Sequence, residues 1–167
     1  FGVPLTSISL GTEDTINESV DFTHLTASHF GVSGLSLSAS ETSSGGTDKL
    51  TISNFQGGTG SVNFETQSIV VTGSLSAQSV ELTAKRSGTI SLSGGAVTSS
   101  GKVSIDNDGL LTIATDVQVN TGALGFTQTG NGAVSLGGSI QTNNGPVSFE
   151  GNVSLPASSG TTVIKTT

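Results

Sequence analysis

Apolar positions along this chain come in pairs that flank a single small residue. The pattern is clearest from Gly122 to Leu155. There Gly122, Ala123, Leu124, Gly125, Phe126, then Gly132, Ala133, Val134, Ser135, Leu136, then Gly145, Pro146, Val147, Ser148, Phe149 each read as a glycine turn feeding a brief strand. Side chains on a strand alternate between faces, so the flanking pair shares one buried face and the small residue looks outward.

Sorted by spacing, the pairs fall into three interleaved series that return about every 21 residues. The first runs Ile8 with Leu10, Leu35 with Leu37, Val62 with Phe64, Val80 with Leu82, Val103 with Ile105, Leu124 with Phe126, and Val147 with Phe149. The second runs Val20 with Phe22, Leu50 with Ile52, Ile69 with Val71, Ile90 with Leu92, Leu111 with Ile113, Val134 with Leu136, and Val153 with Leu155. A thinner third holds Phe55, Leu75, Val97, Val117 with Val119, Ile140 and Val163. Three strands per repeat predict an all-β, right-handed parallel β-helix, a β-solenoid of triangular section with about seven turns of about 21 residues. Strands stacked about 4.8 Å apart make a rod roughly 30 to 35 Å long.

Corners are expected where Gly and Asn cluster, as at Asn143, Asn144 and Gly145 or at Gly94 and Gly95, because both residue types tolerate positive φ. The best helical stretch, Glu81 to Arg86, alternates like a strand. Residues 57–167 keep the beat as a regular solenoid, whereas residues 1–56 read as irregular turns of the same continuous domain. Two insertions account for the irregularity: Gly11 to Ser19, which carries Glu13, Asp14 and Glu18, and Ser38 to Lys49, rich in Ser, Thr and Gly. Thr23 to Phe30 is expected to fold over the side of the rod.

Composition sharpens this picture. Hydrophobic residues make up 32% of the 167 and charged ones 10%, with no Cys, Met, Trp or Tyr. A narrow core built from ladders of Val, Leu and Ile explains both the modest apolar fraction and the lack of bulky indoles. A net charge of −7 with only five Lys and Arg leaves no basic stripe to neutralise phosphates, which argues against nucleic acid as a partner. No run approaches the roughly 20 apolar residues of a membrane helix. Absence of cysteine fits a secreted or bacterial cell-surface protein, and a first residue of Phe rather than Met points to a piece of a longer chain.

Candidate chemistry is sparse. His24 and His29 lie five residues apart beside Asp21, but no third and fourth metal ligand stand out, so they read as surface histidines. The serines read as outward strand decoration. Glu65, Glu81, Asp106, Asp108 and Glu150 occupy strand ends or turns, and Lys85 with Arg86 reads as a solvated turn, which leaves no cleft-like pairing of carboxylates for catalysis. Asp106, Asn107, Asp108 and Gly109 form an oxygen-rich turn in which Asp106 and Asp108 are weak calcium candidates, although an Asx turn explains the segment without an ion. Asn17, Glu18, Ser19 and Asn152, Val153, Ser154 match the glycosylation pattern, which Ser-rich chains produce by chance.

The run Gly138 to Leu155 resembles the repeats of filamentous-haemagglutinin-type surface proteins, and is especially similar to the giant bacterial β-strand-repeat proteins. The resemblance covers residues 57–167 and rests on repeat style. It implies a secreted or surface-anchored right-handed β-solenoid used in adhesion, biofilm matrix or extracellular filaments. The family's secretion motif, Asn-Pro-Asn-Gly-Ile, does not occur, which favours rod over secretion module. The expectation is therefore a non-enzymatic structural rod without cofactor, extending end to end against another copy or neighbouring repeats of a longer chain. Two other readings stand beside it: an adhesin tip that takes a glycan or host surface through its N-terminal loops, and a carbohydrate-active enzyme.

Overall fold

The computed structural model describes residues 4–10, 17–23, 26–40, 48–157 and 161–167. These residues are all-β, without a helix among them, and form three parallel sheets stacked as a β-solenoid, with about five turns of about 22 residues from residue 61 onward and two longer coils before them. The first sheet has seven strands: β1 (Ser7–Ser9), β3 (Ser36–Ser40), β6 (Ser61–Thr66), β9 (Ser79–Ala84), β12 (Lys102–Asn107), β15 (Gly125–Thr129) and β18 (Val147–Phe149). The second also has seven: β2 (Asn17–Asp21), β4 (Lys49–Ser53), β7 (Ser68–Val71), β10 (Ile90–Leu92), β13 (Leu111–Ile113), β16 (Val134–Leu136) and β19 (Val153–Ser154). The third has six: β5 (Phe55–Gln56), β8 (Leu75–Ala77), β11 (Ala96–Ser99), β14 (Gln118–Thr121), β17 (Ser139–Thr142) and β20 (Ile164–Thr166).

Register stacks like upon like. Val62, Val80 and Val103 align on the first face, Ile69, Ile90, Leu111 and Val134 on the second, and Leu75, Val97, Val119 and Ile140 on the third. All of these are buried to within 1% of full enclosure, as are Phe64, Leu82, Ile105, Leu92, Ile113 and Leu136. Alternation sends the intervening Ser, Thr and Asn outward, so each strand contributes two or three side chains to one shared core.

Several expected core positions are shifted in register or lie open to solvent. Leu124 is 67% exposed, because Gly125 has a φ of +79° and closes a tight turn in which its N–H donates to the Gly122 carbonyl. A left-handed residue breaks the two-residue alternation, so Phe126 and Gln128, not Leu124 and Phe126, fall opposite Val103 and Ile105. The same two-residue shift pairs Leu37 and Ala39 with Val62 and Phe64, although Leu35 is still buried. On the second face Val20 aligns with Ile52, so buried Phe22 lies beyond the strand and meets Phe55 edge-on at 5.4 Å. Val153 and Leu155 occupy the expected face in the last coil, yet are 43% and 63% exposed because no coil lies over them. Ile164, not Val163, takes the register opposite Ile140.

The ends of the expected insertions belong to strands. Asn17, Glu18 and Ser19 open β2, Ser38 to Ser40 close β3, and Lys49 opens β4. Asp48, just before β4, is buried, and the remainder, residues 11–16 and 41–47, lies outside the described residues. Thr26 continues the third sheet by a parallel bridge to Gln56, and Gly34 bridges Gly58. The segment 26–34 thus seats on the rod's own backbone at its first coils. Gly58 makes that approach possible: its φ is +60°, and a Cβ there would lie 2.3 Å from the Ser33 carbonyl oxygen.

Polar side chains finish the corners. Thr66 donates to the Ser68 carbonyl at 2.9 Å, Ser99 to the Gln78 carbonyl at 2.7 Å, and Thr142 to the Gly145 carbonyl at 2.6 Å. The corner between β4 and β5 is one residue, Asn54, with a φ of +58°. Asn144 at +58° and Gly94 and Gly95 at +81° and +74° mark the corners read from sequence.

Candidate functional site

A pair of stacked amides lies fully buried in the rod. Gln128 is fully buried opposite Ile105, and its Nε2 donates to Asn107 Oδ1 at 2.8 Å and to the Thr129 carbonyl at 2.7 Å. Its Oε1 accepts from the backbone N–H of Glu150 at 3.1 Å and of Gly151 at 2.9 Å. Asn107, also fully buried, donates to the Gly109 carbonyl at 2.7 Å. Every donor and acceptor of the Gln128 amide is matched, so this network fastens three successive coils and leaves nothing over for a ligand.

That arrangement bears directly on the oxygen-rich turn. Asn107 points into the core, while Asp106 and Asp108 point out. Asp108 Oδ2 accepts the backbone N–H of Arg86 at 3.0 Å, so one carboxylate closes the neighbouring turn. Among the described residues no group of three or more His, Asp or Glu side chains gathers around a common point. The donor set at Asp106 and Asp108 is thus one engaged and one exposed carboxylate, short of the six to eight oxygens calcium takes.

The other acids are dispersed along one face. Glu65 pairs with Lys85, and Glu81 with Lys102, each across neighbouring coils. Lys85 is therefore an ion-pair partner and not simply a solvated turn residue. Register places Asp106 beside Thr83 and Thr129, so hydroxyls separate it from the acids above and below. Such exposed pairs contribute about 0 to 1 kcal/mol each. His24 lies outside the described residues. His29 is exposed and sets its ring edge-on to Phe30 at 5.4 Å.

The Asp21 carboxylate has a strongly displaced titration. Its Oδ1 accepts from the Thr23 hydroxyl at 2.7 Å, from Asn54 Nδ2 at 3.1 Å and from the Thr23 N–H at 3.0 Å, and this donor set, led by the Thr23 hydroxyl, lowers its pKa to about 2. A lowered folded-state pKa stabilises the fold above the unfolded value of about 3.9, and that contribution is lost as pH falls toward about 2. The Asp21→Asn variant should therefore differ from the parent in thermal midpoint by a constant amount above about pH 5 and by progressively less between about pH 4 and pH 2. A difference that does not change across that window would show that the bonds to Thr23 and Asn54 do not form in solution.

A cleft of 280 Å³ opens where segment 26–34 meets the third sheet. Its polar lining is Thr26, Ser28, Ser33, Gln56 and Ser76. Ala27 and Val32 supply the apolar floor, and among the described residues no titratable side chain lines it. The described ends of the two expected insertions do not line this cleft. Its wall comes instead from the fold-over of 26–34, which leaves no repeat signature in the sequence beyond the Gly57, Gly58 pair.

No protein-family model matches this chain, and no curated protein or solved structure shows significant similarity to it. No helix among the described residues is long and apolar enough to cross a membrane.

Proposed function

We propose that this chain is a segment of a non-enzymatic structural rod, part of a bacterial extracellular fibre, filament or adhesin of the filamentous-haemagglutinin kind, which lengthens by coil stacking on coil. The observation that carries the reading is the register, in which all three sheets pair coil upon coil in parallel and like residues stack in continuous columns. Val153 and Ile164 keep that register opposite Val134 and Ile140. A ladder of this kind is extended by any further coil in the same register, whether from the same polypeptide or from a second copy docking head to tail.

Sedimentation of the purified chain over a range of concentrations, with micrographs of the same samples, tests this. Concentration-dependent rods one solenoid wide are expected, and the Leu155→Lys, Ile164→Lys double variant should remain monomeric at every concentration. Both residues are already exposed, so the thermal midpoint should move little. Identical, dispersed particles for parent and variant would remove the end-stacking reading.

A further inference from the structure

We propose that the outer wall of the third sheet, anchored at the cleft under segment 26–34, binds a neutral saccharide chain. Outward positions on that wall run Gln56, Ser76, Thr98, Asn120 and Gln141, held in one column by the register of β5, β8, β11, β14 and β17. All five are partly or fully exposed. Hydroxyls and amides buried at the corners are tied to backbone, as in Thr66, Ser99, Asn107 and Thr142. The five side chains of this column bond no described residue, so their donors and acceptors face solvent one coil apart, about 4.8 Å.

Charge and shape narrow the occupant. The acids of the regular coils lie on the first sheet's wall or in turns, and from Gln56 to Gln141 the third sheet's column is uncharged. Among the described residues of the cleft an anionic ligand finds no cation, and a cationic one finds no carboxylate. A peptide adding as a strand needs an open sheet edge, whereas this surface presents side chains and its backbone is already paired. A ligand dense in hydroxyls, each able to donate and to accept, fits a column of amides and hydroxyls. The end of such a chain would enter the cleft, between Ser28 and Ser33 on one side and Gln56 and Ser76 on the other, with a ring face over Ala27 and Val32. This inference does not rest on the rod reading, since a monomeric particle could carry the same wall.

The test uses the whole chain, isotope-labelled, titrated with hexaoses of glucose, galactose and mannose and with the corresponding uronic-acid hexaoses. At least one neutral hexaose should shift amide signals of residues 26–33, 56–58 and 76, and the uronates should bind at least tenfold more weakly. The Gln56→Ala, Ser76→Ala double variant removes two outward groups without touching the core and should weaken binding tenfold or more at an unchanged thermal midpoint. Thr112→Ala, on the second sheet's wall, should leave binding as it was. The proposal fails if no neutral hexaose perturbs these signals, if the double variant binds like the parent, or if the uronates bind as well as the neutral sugars.

Discussion

Replacing Phe126 by alanine is expected to cost about 3–5 kcal/mol, and replacing Leu124, two residues earlier, less than about 0.5 kcal/mol. Both are large apolar residues in the same glycine-rich phrase, but Phe126 is fully enclosed and Leu124 is 67% exposed. Phe126 stacks between Val103 and Val147 and meets the Phe149 ring at 5.4 Å, so its loss opens a void spanning three coils. The surrounding ladder is fixed by backbone hydrogen bonds on both sides and can close over such a void only in part. At roughly 2–4 °C per kcal/mol for a chain of this size, the thermal midpoint should fall by about 10 °C for Phe126→Ala and hardly at all for Leu124→Ala. Equal losses would return the inward pair to Leu124 and Phe126 and discredit the turn at Gly125.

The second large effect is expected at Gln128. Truncation to alanine strands Asn107 Oδ1 and the N–H of Gly151 and leaves a void opposite Ile105. An unmet buried polar group costs about 1–3 kcal/mol, so the Gln128→Ala loss should be on the order of 3 kcal/mol. The preceding coils supply an apolar version of the same corner, with Ala84 opposite Asn107 and Ile105 opposite Gln128. Copying it with Asn107→Ala and Gln128→Ile together should cost less than the two single changes added, by about 1 kcal/mol or more, because both members of the amide pair leave at once. Chemical denaturation of the four proteins in this cycle measures the coupling. Strict additivity would mean that the two amides do not meet.

These two sites also show what could be read in advance. Val62, Val80 and Val103, or Ile69, Ile90 and Leu111, are unambiguous from sequence because a large aliphatic in a beat of two has one place to go. Gln128, Asn107, Thr66, Ser99 and Thr142 were illegible for the opposite reason. Their kind decorates the outer wall throughout, and burial there depends on a carbonyl or amide that exists only once the corner has formed. Leu124 misled because alternation assumes extended backbone, and a φ of +79° at Gly125 voids that assumption. The cleft was hidden more deeply, since its wall comes from contacts between residues 26–34 and 56–59 that follow no repeat. Asp106 and Asp108 illustrate the converse: both face outward on either side of buried Asn107, yet Asp106 stands beside Thr83 in the strand while Asp108 is taken up closing a turn with Arg86.

The parallel ladders have a mechanical corollary. Their hydrogen bonds join each coil to the next and so run along the long axis of the molecule, in line with a tug on its two ends. A tether loaded that way gives way by peeling, one loop after another, with each release lengthening it before the next is strained. The fully enclosed amide pair at Gln128 and Asn107 sits across that route as a clasp, so the seam around β12, β15 and β18 should yield later than coils joined by backbone bonds alone.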